Sequence, residues 1–324
     1  MDRFGVIFKK PFMLGLLGLI LVALATLPFY GSLYLIILIT AILMYIILTV
    51  SWVIFSGPTG YMSLASAAFF GVGIYASAIL LPNTGPVLPL LVVVVIGGLI
   101  SFMLALLIGA LTLRLRGIYF AIFTFGLLEL IKQLLLYWEI TITGTRGRFI
   151  VLVDTDTIFY IMLGIFVALM LTAYFIRHSK FGLALQSIGE NEEAAAHSGV
   201  NVTMVKVITF AISAFFMGAA GAVIATKWTY IDPYIAFNPL FSFLPVMMAI
   251  FGGTGLFYGP VIGATIFAYL EEVLLTKFPY YYMLLFGAVL VGTILYLPNG
   301  LVGLIPRLVQ KWRKGGSARQ SANT

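Results

Sequence analysis

Apolar residues run along this chain in long blocks, broken by short polar intervals. A helix that crosses the hydrocarbon core of a bilayer needs about 20 mostly apolar residues. Ten blocks approach that length: Phe12–Phe29, Leu33–Phe55, Met62–Leu81, Val87–Leu111, Ile118–Tyr137, Thr157–Ile176, Val205–Trp228, Ile235–Phe251, Leu256–Thr276 and Tyr281–Leu297. The pattern predicts an all-α polytopic integral membrane protein with about ten transmembrane or broken helices. One membrane domain covers residues 1–306, and a basic tail expected to be disordered or headgroup-bound covers 307–324. The first block follows Arg3, Lys9 and Lys10 and resembles a signal peptide, but it is long and has no small-residue cleavage site, so an uncleaved first span is expected.

Glycine and proline interrupt some blocks. Gly57-Pro58-Thr59-Gly60 breaks the chain after the second, and Asn238-Pro239, Pro245 and Gly252-Gly253-Thr254-Gly255 interrupt the short eighth. Broken helices persist at membrane depth only where they are buried in protein or line a watery cavity, and transporter binding sites are built from them. Plain turns at the membrane surface are the other reading. The repeated Gly-x-Thr-Gly hints at a parallel internal repeat. Small residues follow each copy, with Ala67 and Gly71, then Gly259 and Gly263, spaced four apart for close helix packing.

Composition agrees: 62% of residues are hydrophobic and 9% charged, against roughly 25% charged in a soluble domain. The net charge of +7 does not point to nucleic acid, because the basic residues sit beside the apolar blocks. With the N-terminus in the cytoplasm, thirteen fall inside: Arg3, Lys9, Lys10, Arg114, Arg116, Arg177, Lys180, Lys206, Arg307, Lys311, Arg313, Lys314 and Arg319. Four fall outside: Arg146, Arg148, Lys227 and Lys277. This bias places both termini, and the loop 177–204, in the cytoplasm.

Within that loop, Ile188–Asn201 is the most polar stretch, with Glu190, Glu192 and Glu193 close together. Acids suit the N-terminal end of a helix, Ala194 to Ala196 favour its body, and Gly199 suits its end, so one short helix is expected over Glu190–His197. It reads equally as a docking surface or as an ordinary helical loop.

Candidate chemistry is sparse. Glu129 and Lys132 stand three apart on one helix and can pair directly, which reads more as a structural bridge than as a transport site. There is no chain of buried acids for a proton-driven carrier and no repeated charged ring for a channel. The two histidines, His178 and His197, lack the company of a metal site. No cysteine, phosphate-binding loop or Ser/His/Asp arrangement occurs. No catalytic residue, metal or cofactor is expected. A stand-alone secondary transporter is the competing class.

The polar stretch resembles the coupling loop of ABC importer permeases: Glu193-Ala194-Ala195 and then Gly199 match the opening of their signature, without the downstream Ile-x-Leu-Pro. That departure resembles one branch, the branched-chain amino-acid permeases of the LivM type. Leu115-Arg116-Gly117-Ile118-Tyr119-Phe120-Ala121-Ile122, Glu129, Trp138, Thr143-Gly144-Thr145-Arg146-Gly147 and Phe181-Gly182-x-Ala184-Leu185 follow in family order. Ser242, Met247, Gly252-Gly253-Thr254-Gly255, Gly259-Pro260, Gly263-Ala264 and Leu297-Pro298-Asn299-Gly300-Leu301-Val302-Gly303-Leu304 complete it. One departure stands out. After Ser63-Leu64 the family commonly has Gly and then a polar residue, where this chain has Ala65-Ser66.

The resemblance implies a membrane subunit of a prokaryotic ATP-driven importer for branched-chain amino acids, with a permease of the same type for urea, short amides or other amino acids as the alternative. It implies a second, related permease, two cytoplasmic ATP-binding subunits and an extracytoplasmic solute-binding protein as partners. Glu190, Asn191, Glu192, Glu193, Ala194, Ala195 and Gly199 would form the ATPase docking surface. Thr59, Ser63, Glu129, Thr143, Ser242, Gly252, Gly253 and Gly255 are the candidates for the translocation path.

Overall fold

The computed structural model describes residues 10–81, 89–113, 115, 117–255 and 257–296. Arg3, Lys9, Arg114, Arg116, the motif Leu297–Leu304 and the basic tail lie outside the described residues. Among the described residues the fold is an all-α bundle, with a ribbon of two short strands and a π-helical turn, Glu139–Thr143, as its other regular elements. The helices are α1 (Lys10–Tyr30), α2 (Leu33–Thr59), α3 (Ser66–Leu80), α4 (Leu90–Thr112), α5 (Ile118–Trp138), α6 (Thr155–His178), α7 (Lys180–Glu190), α8 (Glu192–His197), α9 (Val202–Ala225), α10 (Pro233–Ala236), α11 (Leu240–Gly252), α12 (Gly259–Lys277) and α13 (Tyr282–Tyr296). Among the described residues, seven helical stretches are long and apolar enough to cross a membrane: α2, α4, α5 with its π-helical extension Glu139–Thr143, α6, α9, α10 with α11, and α12. The protein is therefore a polytopic membrane protein.

Helix α9 lies at the centre. Lipid is as apolar as leucine, so helices in a membrane associate through close packing more than through hydrophobic burial. The sequence of α9 provides for this with Gly218, Ala219, Ala220, Gly221 and Ala222, all buried. Helix α4 runs antiparallel to it, with Gly109 on Phe210, Gly98 on Phe215 and Gly97 on Ala222. Helix α3 crosses so closely that a Cβ on Gly73 would strike the Gly218 carbonyl.

The helix breaks are more specific than the apolar pattern predicts. Helix α2 does not stop at Gly57. It continues through Pro58 and ends on Gly60, whose φ of 71° is the left-handed conformation that favours glycine. The block expected from Met62 becomes an irregular segment, Gly60–Ala65, and the 15-residue α3. Fifteen residues give about 22 Å of helix, short of the roughly 30 Å hydrocarbon core. The eighth block is divided between α10 and α11 at the expected Asn238-Pro239, and α11 ends at the expected Gly252–Gly255, but Pro245 does not break it: α11 runs through that residue.

Two groups of polar contacts gather at the ends of the bundle. At the loop end, Lys206 at the start of α9 donates to the Leu113 carbonyl at 3.0 Å, Gly189 of α7 lies against the Pro58 carbonyl, and Arg177 reaches the Gly255 carbonyl at 3.4 Å. At the ribbon end, β1 (Arg148–Phe149) pairs antiparallel with β2 (Tyr230–Ile231), and Arg146 binds Asp232 at 2.8 Å.

Candidate functional site

The polar loop folds as two helices, not one. Ser179 caps α7 by accepting from the Gly182 amide. Asn191 then takes an extended conformation (φ −158°, ψ 111°), and its Oδ1 accepts from the Glu193 and Ala194 amides at 3.0 Å each. This side-chain cap is what interrupts the expected single helix, leaving Glu190 on α7 and starting α8 at Glu192. Gly199, at φ 88°, ends the turn. Glu190, Asn191, Glu193, Ala194 and Gly199 are exposed. Ala195 and Glu192 instead face the bundle, with Ala195 buried and Glu192 paired to Lys206 at 2.6 Å.

Lys206 went unremarked in the sequence except as an inside charge. Its side chain is 2% exposed. A buried ammonium persists only with a full set of partners. Lys206 has Glu192, the Leu113 carbonyl, and the Tyr61 hydroxyl at 3.2 Å, with its Nζ 4.6 Å from the centre of the Tyr61 ring. Tyr61 in turn donates to Glu192 Oε2 at 2.8 Å. Its ring meets Phe120 edge-on at 5.4 Å and Phe55 at 6.4 Å, and Phe210 packs on Phe55, Phe69 and Phe120.

Next along the chain, the irregular segment is held by side chains from three helices. The Ser63 carbonyl accepts from Trp52 of α2 at 2.8 Å, and the Leu64 amide donates to Thr124 of α5 at 3.0 Å. Ser242, in the first turn of α11, donates to the Leu64 carbonyl at 2.7 Å and accepts from the Ala67 amide of α3 at 3.0 Å. These four backbone groups, which have no partner in a helical ladder, are satisfied by side chains inside the protein. The same contact brings the N-terminal ends of α3 and α11 together, so their positive dipole ends converge on one place. Met62, Leu240 and Phe243 nearby remain uncovered. The family departure falls here too: Ala65 is fully buried, and the buried Ser66 hydroxyl has no partner among the described residues.

The other path candidates separate. Thr59 returns its hydroxyl to the Phe55 carbonyl and accepts weakly from the Tyr61 amide, so it shapes the break. Gly252 packs on the backbone of Gly259 and Gly263 of α12. It lies ten residues, about 15 Å of helix, from Ser242. Gly253 and Gly255 belong to that turn, at the loop end. The two Gly-x-Thr-Gly motifs border one cavity of about 270 Å³, whose lining includes Gly57, Pro58, Arg177, Gln186, Thr254 and Gly255. Glu129 pairs with Lys132 at 2.6 Å as expected, and Thr143 is exposed, closing the π-helical turn onto the Glu139 carbonyl.

That turn carries a residue the sequence reading missed. Glu139 is fully buried, accepts from the Tyr75 hydroxyl at 3.1 Å and the Gly147 amide at 2.9 Å, and has Arg148 at 3.8 Å. Arg148 stacks over Trp138 and Arg146 over Tyr234. The signal in the sequence was a lone acid at the end of an apolar block with two arginines soon after it. Also at the ribbon end, a cavity of about 200 Å³ is lined in part by Tyr45, Lys227, Trp228, Glu271 and Glu272. Among the described residues, no group of three His, Cys, Asp or Glu gathers as a metal site.

The structure thus combines interrupted helices braced by side chains with a capped polar loop at one end. Residues 34–294 match the family described as the branched-chain amino acid transport system permease component. The chain belongs to this family. The permease is 27% identical to the high-affinity branched-chain amino acid transport system permease protein LivM of Salmonella typhimurium, over 89% of this chain and 74% of that one. It is 26% identical to LivM of Escherichia coli K12, over 87% and 73%. A shorter match, 29% identical over 43% of the permease and 44% of the relative, is to the high-affinity branched-chain amino acid transport system permease protein LivH of Escherichia coli K12. No solved structure matches the permease.

Proposed function

We propose that this permease is the membrane-spanning subunit of an ATP-driven importer for branched-chain amino acids in a prokaryotic cell membrane. In this reading about ten helices cross or enter the bilayer, and both termini and the loop 177–204 face the cytoplasm. A second, related permease completes the path, two ATP-binding subunits dock on α7–α8 and hydrolyse ATP, and a solute-binding protein delivers cargo at the ribbon end. The observation that carries the reading is the Ser242 junction. Two helix N-termini meet there beside Met62, Leu240 and Phe243. Converging positive ends favour a carboxylate, and the uncovered apolar side chains suit a branched aliphatic group. Family membership supports the same substrate class.

The mechanism is alternating access. ATP-driven movement of the partner subunits shifts α7–α8, and the junction is exposed first to one side and then to the other. The test is to co-express the chain with its chromosomal neighbours, purify through it, and reconstitute the complex in liposomes. A second permease and two ATPases should co-purify, and leucine uptake should require ATP and the binding protein. Uptake driven by an ion gradient with this chain alone would overturn the reading in favour of a secondary transporter. Transport of urea or a short amide in place of leucine would correct the substrate.

A further inference from the structure

We propose that Tyr61 is the moving part of an inner gate, and that Glu192 and Lys206 are positioning residues that tie it to the docking helix α8. The inference rests on the functional reading above and adds the device by which docking reaches the path. Tyr61 stands at a crossing of two systems. Its ring belongs to the aromatic cluster of Phe55, Phe120 and Phe210 at the loop end. Its hydroxyl belongs to the buried charge network, donating to Glu192 while accepting from Lys206.

The network joins four separate pieces of chain: α8 through Glu192, α9 through Lys206, the C-terminal end of α4 through Leu113, and the irregular segment through Tyr61. Two of these pieces matter for motion. Helix α8 is a six-residue body whose inward contacts include Ala195 and Glu192. The irregular segment leads from Tyr61 to Ser63 and Leu64, which are held by Trp52, Thr124 and Ser242. A shift of α8 therefore moves the carboxylate that holds the Tyr61 hydroxyl. A buried ammonium cannot be left with its partners incomplete, so Lys206 makes the response concerted. Either the network moves together and draws the Tyr61 ring from the aromatic cluster, or it stays closed.

The test uses the whole complex in liposomes, with uptake per ATP hydrolysed and passive leucine leak as readouts, and complex yield as the control for assembly. Tyr61→Phe keeps the ring and removes the hydroxyl. Uptake per ATP should fall roughly tenfold, the scale of one lost hydrogen bond to a charged group. Lys206→Met should lower it similarly, and Lys206→Arg should restore part of it. The Tyr61→Phe/Lys206→Met double variant should be no worse than either single variant, because the pair acts as one unit. Tyr61→Ala, which removes the plug, should let leucine leak without ATP. If Lys206→Met does not assemble, Tyr61→Phe with Glu192→Gln carries the same cycle. Wild-type uptake per ATP in Tyr61→Phe, or losses that multiply in the double variant, would overturn the proposal while leaving the functional reading standing. If the wild-type complex itself shows no ATP-driven uptake, the functional reading fails and the gate falls with it.

Discussion

Ser242 does with one hydroxyl what a helix normally does with its own backbone. It satisfies the Leu64 carbonyl and the Ala67 amide where the chain has left its hydrogen-bond ladder. Ser242→Ala strands both groups, at roughly 1–3 kcal/mol for each buried orphan. The expected outcome is a lower thermal midpoint in detergent and a sharp loss of uptake. A variant with wild-type stability would show that the segment finds other partners. Glu139 presents the same physics at the ribbon end. It is a buried carboxylate among Tyr75, Gly147 and Arg148. Glu139→Ala strands the Tyr75 hydroxyl and the Gly147 amide, at roughly 1–3 kcal/mol for each buried orphan, so it should destabilise more than Glu139→Gln, which keeps part of the hydrogen bonding. Equal midpoints for the two would mean that the amide of Gln recovers none of the hydrogen bonding with Tyr75 and Gly147. For both residues the decisive partner lies far away in sequence. Leu64 lies 178 residues from Ser242, and Tyr75 lies 64 from Glu139.

At the scale of elements, caps decide where helices begin and end. The Asp154 carboxylate accepts from the Thr157 amide at 2.9 Å and opens α6. Hydrogen bonds from the Thr157 side chain and backbone hold its carboxyl below the ordinary value of 3.8. A depressed value means the cap stabilises fully above the ordinary value and is lost only as pH falls through the lower folded one. Asp154→Ala should remove about 1 kcal/mol at neutral pH. Asp154→Asn should keep most of the cap and flatten the acid dependence, both read from thermal midpoints against pH. The apolar runs made most helices legible in advance, since span length is fixed by bilayer thickness. They did not reveal that Asn191 would divide Glu190–His197, because its side chain competes with the helix for the same amides. Nor could they tell the motif that leads into a junction, Gly57–Gly60, from the one that packs two helices, Gly252–Gly255, since both read as Gly-x-Thr-Gly.

For the whole molecule, the two groups of polar contacts at the ends give a direct test of orientation. The chain has no cysteine, so single cysteines report without background. Glu193→Cys should react with a membrane-impermeant maleimide only after cells are permeabilised, and Thr145→Cys should react in intact cells. The opposite result would invert the topology. The long reach of the Ser242 contact also has a biosynthetic consequence. At 5–20 residues per second, the 178 residues between Leu64 and Ser242 take roughly 10–35 s to synthesise. For that interval the newborn α2–α3 hairpin is at the membrane without the hydroxyl that completes it. Its exposed backbone must be sheltered meanwhile by water in the translocon or by an insertase. The irregular segment is thus the point at which delayed synthesis of the second half would most readily send this protein to a membrane protease.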